Sequence, residues 1–275
     1  MSQPRLPEDT VLVGGKPIHL GYSRVKTFQD CPKQYEFSYV HNIRGEANDN
    51  MKRGSAYHNT LEIMLEYKRR KGRLAKLGDC LDISFQFSRE EQLKEANCFK
   101  VRDAVKFYHE QLYSVHKPLL VEGSFDVQRG GVSVTGRIDL IEEDGYIVDH
   151  KFSANLWTEE RAAYGSQPIV YQWAALDIFE KQWPGWVYKG FKYNILRQFP
   201  FPVFQEIIIP RVSEEESMWF EEQFRAMVKA IGSGGFPANP SPNGCKWCSH
   251  KKLCNPVIYK PKIQLIGSTR SVNLD

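Results

Sequence analysis

Residues 136–152, G-R-I-D-L-I-E-E-D-G-Y-I-V-D-H-K-F, constrain this chain more than any other segment: two apolar-rich runs enclose E-E-D-G, a pattern that predicts a β-hairpin. Successive strand side chains point to opposite faces, so Asp149 and Lys151 share one face of the second strand. On the first strand Val132, Val134, Gly136, Ile138 and Leu140 fall on one face, and Ser133, Thr135, Arg137 and Asp139 on the other. Turn length decides which residue Asp139 meets. A two-residue Asp144-Gly145 turn sets Asp139 opposite His150. A three-residue turn over 143–145, with Gly145 left-handed, sets it opposite Asp149. If Asp139 acts with Asp149, the turn must be the longer, bulged one.

Two carboxylates and an amine on one sheet face suit a definite chemistry. Carboxylate oxygens bind hard Mg²⁺ or Mn²⁺, which keep several waters and polarise a phosphoryl oxygen. Lys151 beside such an ion can orient or deprotonate a water and offset developing negative charge. The backbone carbonyl of His150 can add one more oxygen. On spacing alone, however, a cross-strand surface ion pair is the simpler reading of the same residues, so other segments must decide.

The chain of 275 residues carries 25% charged and 41% apolar residues, ordinary for a globular protein of one large or two small domains. Its net charge of +4 permits a polyanionic partner without requiring one. No apolar run approaches a membrane span and the N-terminus has no apolar signal region, so the expectation is a cytoplasmic protein, or one of the host-cell cytoplasm if viral. No G-x-x-x-x-G-K-[ST] phosphate loop occurs, so any helicase motor acting with the chain is another polypeptide.

The periodicities predict helices over 23–40 with Ser23 as N-cap, 55–70, 88–115, 159–181 and 213–231, and strands over 119–128, 132–141, 146–152, 187–196 and 203–209. Helices, then a meander, then a helix and returning strands make an α/β fold with a mixed central sheet flanked by helices. The expected organisation is an extension at 1–21, a helical part at 22–118, a core at 119–232, a cysteine segment at 233–256 and a partly disordered tail at 257–275.

Four further groups stand out. His58, near the start of its helix, is a candidate metal or phosphate ligand, though a lone histidine is more simply a packed one. Gln167 and Tyr171, four apart on one helix face, can present an amide and a phenol to a DNA strand, or serve merely as a polar N-terminal residue and a core aromatic. The run K-R-R-K-G-R at 68–73 can line a DNA path, but a solvated helix end is the simpler reading. Cys245, Cys248 and Cys254 form C-x2-C-x5-C, with Trp247 and Leu253 placed to shield them. Cys31, preferred over Cys80 and Cys98, is the expected fourth thiolate of a site for Zn²⁺ or an iron–sulfur cluster, between which ligand identity does not choose.

In order along residues 22–254 run C-P-x-x-Y at Cys31, G-x-x-x-H ending at His58, G-x-x-D ending at Asp139, D-x-K from Asp149 to Lys151, Q-x-x-x-Y from Gln167 to Tyr171, and the closing cysteines. This series resembles the PD-(D/E)XK nuclease superfamily, specifically RecB-family exonucleases and the iron–sulfur CRISPR-associated nuclease of spacer acquisition. The resemblance implies a restriction-endonuclease-like core that cuts DNA, preferring single strands or ends. It implies Mg²⁺ or Mn²⁺ at His58, Asp139, Asp149 and the His150 carbonyl, Lys151 as the residue that activates water, and Gln167 and Tyr171 on the substrate strand. It also implies a [4Fe-4S] cluster, in preference to Zn²⁺, on Cys31, Cys245, Cys248 and Cys254, and a helicase or recombination protein as partner. The first acidic motif lacks the superfamily's proline and its second acid is Asp where Glu is frequent; both variants are tolerated.

Overall fold

The computed structural model describes residues 12–13, 16–45, 47–197 and 200–254. A two-stranded antiparallel pair, β1 (Leu12–Val13) and β2 (Lys16–Pro17), precedes a six-stranded mixed sheet. Its strands are β3 (His19–Leu20), β4 (Pro118–Arg129), β5 (Val132–Glu142), β6 (Tyr146–Ser153), β7 (Gly190–Arg197) and β8 (Val203–Pro210). The spatial order is β3-β5-β6-β7-β8, with β4 antiparallel along the other edge of β5. The β3–β5 and β6–β7 pairs are parallel, while β5–β6 and β7–β8 are antiparallel. The mixed α/β class expected from the order of periodicities is therefore the observed one.

The helices are α1 (Tyr22–Asp30), α2 (Pro32–Tyr35), α3 (Asp49–Lys71), α4 (Leu77–Glu90), α5 (Glu95–Gln111), α6 (Glu159–Ala163), α7 (Gln167–Ala174), α8 (Glu180–Gln182), α9 (Glu214–Gly232), α10 (Pro242–Trp247) and α11 (Lys251–Cys254). Two π-helical turns, Glu36–Val40 and Ala175–Phe179, continue α2 and α7.

Several boundaries differ from the periodicity, each for a local reason. The helix expected over 23–40 breaks at Cys31, which is extended at φ −163° and ψ 108°, because Pro32 disfavours a helical residue before it. That helix starts after Gly21, and Ser23 caps nothing. The helix expected from 55 begins at Asp49, where the Asn48 side chain accepts from the amides of Asn50 and Met51. The span 88–115 cuts across the end of α4 and all of α5, and α4 itself went unassigned. The span 159–181 is interrupted between α6 and α7, whose second residue is Pro168.

Two cores lie on either side of the sheet. Tyr57, Leu61, Met64 and Leu65 of α3 and Val101, Val105 and Tyr108 of α5 cover one face, meeting Leu140, Val148 and Leu196. Val25 of α1, Val170 and Trp173 of α7, and Phe220, Phe224 and Ile231 of α9 cover the other, meeting Ile138, Ile147, Phe191 and Ile195. Ile138 and Leu140 thus serve different cores, against strict alternation along β5. The strand changes phase at Asp139. The tail expected to be partly disordered lies outside the described residues.

Candidate active site

The site forms where the sheet opens. Along one edge of β5 runs β4, while the opposite edge pairs with β3 only at Ser133 and Val134 and with β6 only at Leu140 and Ile141. Between those contacts the edge bonds to side chains. The Tyr171 hydroxyl donates to the Arg137 carbonyl at 2.8 Å, and the Asp139 carboxylate accepts from the His150 backbone N–H at 2.9 Å. Past Val148, β6 leaves β5 and runs parallel to β7 through Ser153.

The turn is the bulged one. Leu140 faces Val148 and Ile141 faces Ile147, the register that leaves residues 143–145 as the loop and that, carried one step past the last pair, points Asp139 toward Asp149 where the strands part. Gly145 sits at φ +99° with its N–H donating to the Glu142 carbonyl at 3.2 Å. A β-carbon there would lie 2.3 Å from the Val187 carbonyl oxygen, so both φ and space call for glycine.

Around the opening the predicted residues converge. His58 Nδ1, from α3, lies 3.3 Å from Asp139 Oδ2. Lys151 Nζ lies 2.6 Å from Asp149 Oδ2, and the Gln167 amide donates to Asp149 Oδ1. Gln167 and Tyr171 do share one face of α7, but both are almost fully buried. Gln167 braces a carboxylate and Tyr171 a strand carbonyl.

The electrostatics follow from crowding charges at a buried place. Burial and the Asp139 charge, against Lys151, hold Asp149 above the ordinary carboxyl range. Asp139 is held low despite its burial, because His58 lies beside it. Burial works against the cationic forms of His58 and Lys151, yet the carboxylates prevail and both are raised.

Two acids missed by the motif reading border the site. Glu122 lies between the Val121–Leu140 and Gly123–Ile138 pairs, across β5 from Asp139, with a left-handed φ of +52°. Burial and the Asp139 charge push its carboxyl up to about 7. Arg137 bridges Glu122 at 2.5 Å and Glu62 of α3 at 2.9 Å. Strand parity already put Arg137 on the Asp139 face, but no motif pointed to Glu122.

Beneath Asp149 and Lys151 the intervening His150 turns its ring to the α5 side. There it meets Tyr108 and His116, with ring centres 5.5 Å away in both cases. Burial and His116 push its imidazole down to about 3. His116 Nδ1 lies 2.7 Å from Glu142 Oε1, and Lys192 Nζ lies 3.1 Å from the other Glu142 oxygen. The basic run at the end of α3 is spoken for locally: Lys68 donates to the carbonyls of Tyr113, Ser114 and His116, and Arg69 and Arg70 pair with Glu66.

The second constellation gathers at the far end of α1. Cys31, Cys245, Cys248 and Cys254 are all partly buried and border one cavity of about 430 Å³. Burial and the three neighbouring thiols push the Cys254 thiol up. Cys80 and Cys98 lie in α4 and α5, elsewhere in the molecule, in keeping with the choice of Cys31 as the fourth thiol. The Asn239 N–H points at Cys31 Sγ at 3.4 Å, the Asn239 amide donates to the Asp30 carbonyl at 3.1 Å, and Ser38 Oγ lies 2.8 Å from His250 Nε2. Of the two residues expected to shield the thiols, Trp247 borders their cavity while remaining 76% exposed, and Leu253 does not border it and is 51% exposed. Among the described residues, no three His, Cys, Asp or Glu side chains close around a point as tightly as a single bound ion requires.

The comparisons with known proteins bear on both constellations. Residues 19–255 match the family model of the PD-(D/E)XK nuclease superfamily. The fold resembles a crystal structure of an exonuclease candidate from Eubacterium rectale, with a TM-score of 0.57 at 14% identity over 90% of this chain and 91% of that one. A second structure, of the protein SSO0001, covers 82% of this chain and 95% of its own at 14% identity, but its TM-score of 0.30 carries no argument. No curated protein matches. With its family model spanning both the opened sheet and the cysteine segment, the chain belongs to the PD-(D/E)XK nuclease superfamily.

Proposed function

We propose that the chain is a metal-dependent DNA exonuclease acting on single strands or DNA ends, in the cytoplasm, and that it stands among the iron–sulfur RecB-like nucleases with the CRISPR spacer-acquisition enzyme. The observation that carries the reading is the buried Asp149–Lys151 pair, 2.6 Å apart, set in the β5–β6 opening beside Asp139. A surface ion pair, the simpler reading of the spacing, would be solvated. Here the Asp149 side chain is only 4% exposed.

The donor set fits Mg²⁺ or Mn²⁺ in type: two carboxylates, an imidazole and the His150 carbonyl. Asp149 Oδ2 is buried and meets the Lys151 ammonium at 2.6 Å, and a carboxylate oxygen so placed has a further lone pair for an ion. The ion, when bound, supplies charge neutralisation to the phosphodiester and acidifies a water. In this reading the Lys151 ammonium orients the attacking water and offsets charge on the phosphorus-bound oxygens. Asp139 ties the His150 amide in place, Gln167 fixes the Asp149 rotamer, and Tyr171 holds the opened strand edge.

For the thiols, a cavity of about 430 Å³ whose lining includes all four cysteines has room for a polynuclear [4Fe-4S] group. Iron and acid-labile sulfide in anaerobically purified protein test this part, and a colourless zinc form sinks it. The enzyme is tested with end-labelled single-stranded and duplex DNA in Mg²⁺ or Mn²⁺, beside Lys151→Ala and Asp149→Asn. Shortening from the labelled or the opposite end that both substitutions abolish is the expected result; cleavage surviving both removes the assignment.

A further inference from the structure

Charge along this chain is divided unevenly. Eight of the 37 Lys and Arg residues but one of the 33 acidic residues follow residue 222, which leaves 29 basic against 32 acidic residues before it. The positive excess of the protein is thus concentrated in its C-terminal fifth. The last described segment of that stretch is the cysteine knuckle, which carries Lys246, Trp247, Lys251 and Lys252, all exposed although Trp247 and Lys251 also border the thiol cavity. Trp247 is 76% exposed, and the ammonium of Lys246 lies 5.1 Å from its ring centre.

An indole left in water beside three ammonium groups, on a segment without a carboxylate, has the chemistry of a base-stacking platform. Helix α1 links the knuckle to the carboxylates. The first residue of α1, Tyr22, feels the charges of Lys151 and Asp149, and the last is followed by Cys31. Eight helical steps, about 12 Å, therefore separate the two constellations along α1, a span of a few nucleotides.

We propose that Trp247 and the lysines around it form a binding surface for single-stranded nucleic acid, with an unpaired base stacked on the indole and flanking phosphates on Lys246, Lys251 and Lys252. The class of ligand rests on the nuclease reading above. Base pairing buries the faces a platform needs, so the surface selects unpaired strand over blunt duplex and holds it on the knuckle side of the carboxylates.

The test is fluorescence anisotropy of a labelled single-stranded oligonucleotide with full-length Asp149→Asn protein, titrated over a range of KCl, with iron and sulfide content and unfolding temperature measured for every variant. Trp247→Ala raises Kd about tenfold for single strand and leaves blunt-duplex binding unchanged, and Trp247→Phe recovers most of the loss. Replacing Lys246, Lys251 and Lys252 together by Gln flattens the dependence of log Kd on log salt by about two. Equal Kd for Trp247→Ala and parent overturns the proposal. So does loss of the cysteine-bound group in Trp247→Ala, which makes the indole a cover for it, and so does equal weakening on duplex. In protein that keeps Asp149, cleavage together with no effect of Trp247→Ala on binding removes the surface and keeps the nuclease, whereas weakened binding in Trp247→Ala without cleavage in either metal by the parent does the reverse.

Discussion

The carboxylate site and the cysteine site are built in opposite ways. Asp139, Asp149, Gln167 and Tyr171 are locked by hydrogen bonds to one another and to strand backbone, within a sheet closed over by two cores. Three of the four cysteines ride on or beside α10 and α11, of six and four residues, too short to hold themselves in water. Their side of the molecule is joined to α1, α2 and the π-helical turn after α2 by polar contacts at Asn239, Pro237 and His250 and by the rings of Phe236 and His250 against Phe28, Tyr35 and Phe37. One site is pre-organised by the fold. The other depends, for cohesion, on what its thiols hold.

That contrast can be broken by substitution. In the carboxylate site, function and stability should separate: Asp149→Asn lowers the single-turnover cleavage rate by about 10²–10⁴-fold, yet the unfolding temperature changes little, because the repulsion between Asp149 and Asp139 is relieved and the Asp139 charge still attracts the Lys151 ammonium. In the cysteine site they should fall together. Cys31→Ser speeds proteolysis within residues 233–254 at least about tenfold, and the β4–β8 sheet keeps its amide protection in hydrogen exchange.

Smaller effects sharpen the same distinction. Tyr171→Phe strands the Arg137 carbonyl at the opened edge, at a cost of about 1–3 kcal/mol, read as a lower denaturant midpoint with unchanged slope. The pH dependence of Glu122 is the smallest. Its carboxyl is raised from 4.5 to about 7, so the folded state takes up a proton that the unfolded chain lacks between those values. The stability this adds is complete below about pH 4.5 and is lost as pH rises through about 7. Glu122→Gln, neutral throughout, should gain on the wild type by about 2–4 °C between pH 5 and pH 8 in thermal unfolding.

How far the residues could be read in advance depended on how local their information was. The bulged turn was legible because strand parity makes a one-residue change in loop length visible. His58, Asp139, Asp149, Lys151, Gln167 and Tyr171 were legible as spaced motifs, and the structure brings them together. The opening between β5 and β6 was not, since two-stranded alternation does not say where a strand will leave its partner. Glu122 was invisible for the same reason: it matters through cross-strand position, and its left-handed φ has no signature in L-V-E-G-S. The exposure of Trp247 was not legible either, because a tryptophan between cysteines reads as cover for them, and here it borders their cavity and still meets solvent.

The contact from Asn239 to Cys31 joins positions 208 residues apart in the chain. During synthesis, Cys31 and α1 leave the ribosome among the first described segments, while Cys245, Cys248 and Cys254 come near the end. All the carboxylate-site residues, up to Tyr171, are translated before the first of those three thiols. An unfinished chain thus holds every group of the carboxylate site while its thiol pocket still lacks three walls. Closing that pocket therefore comes after every group of the carboxylate site has been synthesised, so assembly of the knuckle is a later long-range event than assembly of the sheet residues that carry the carboxylates.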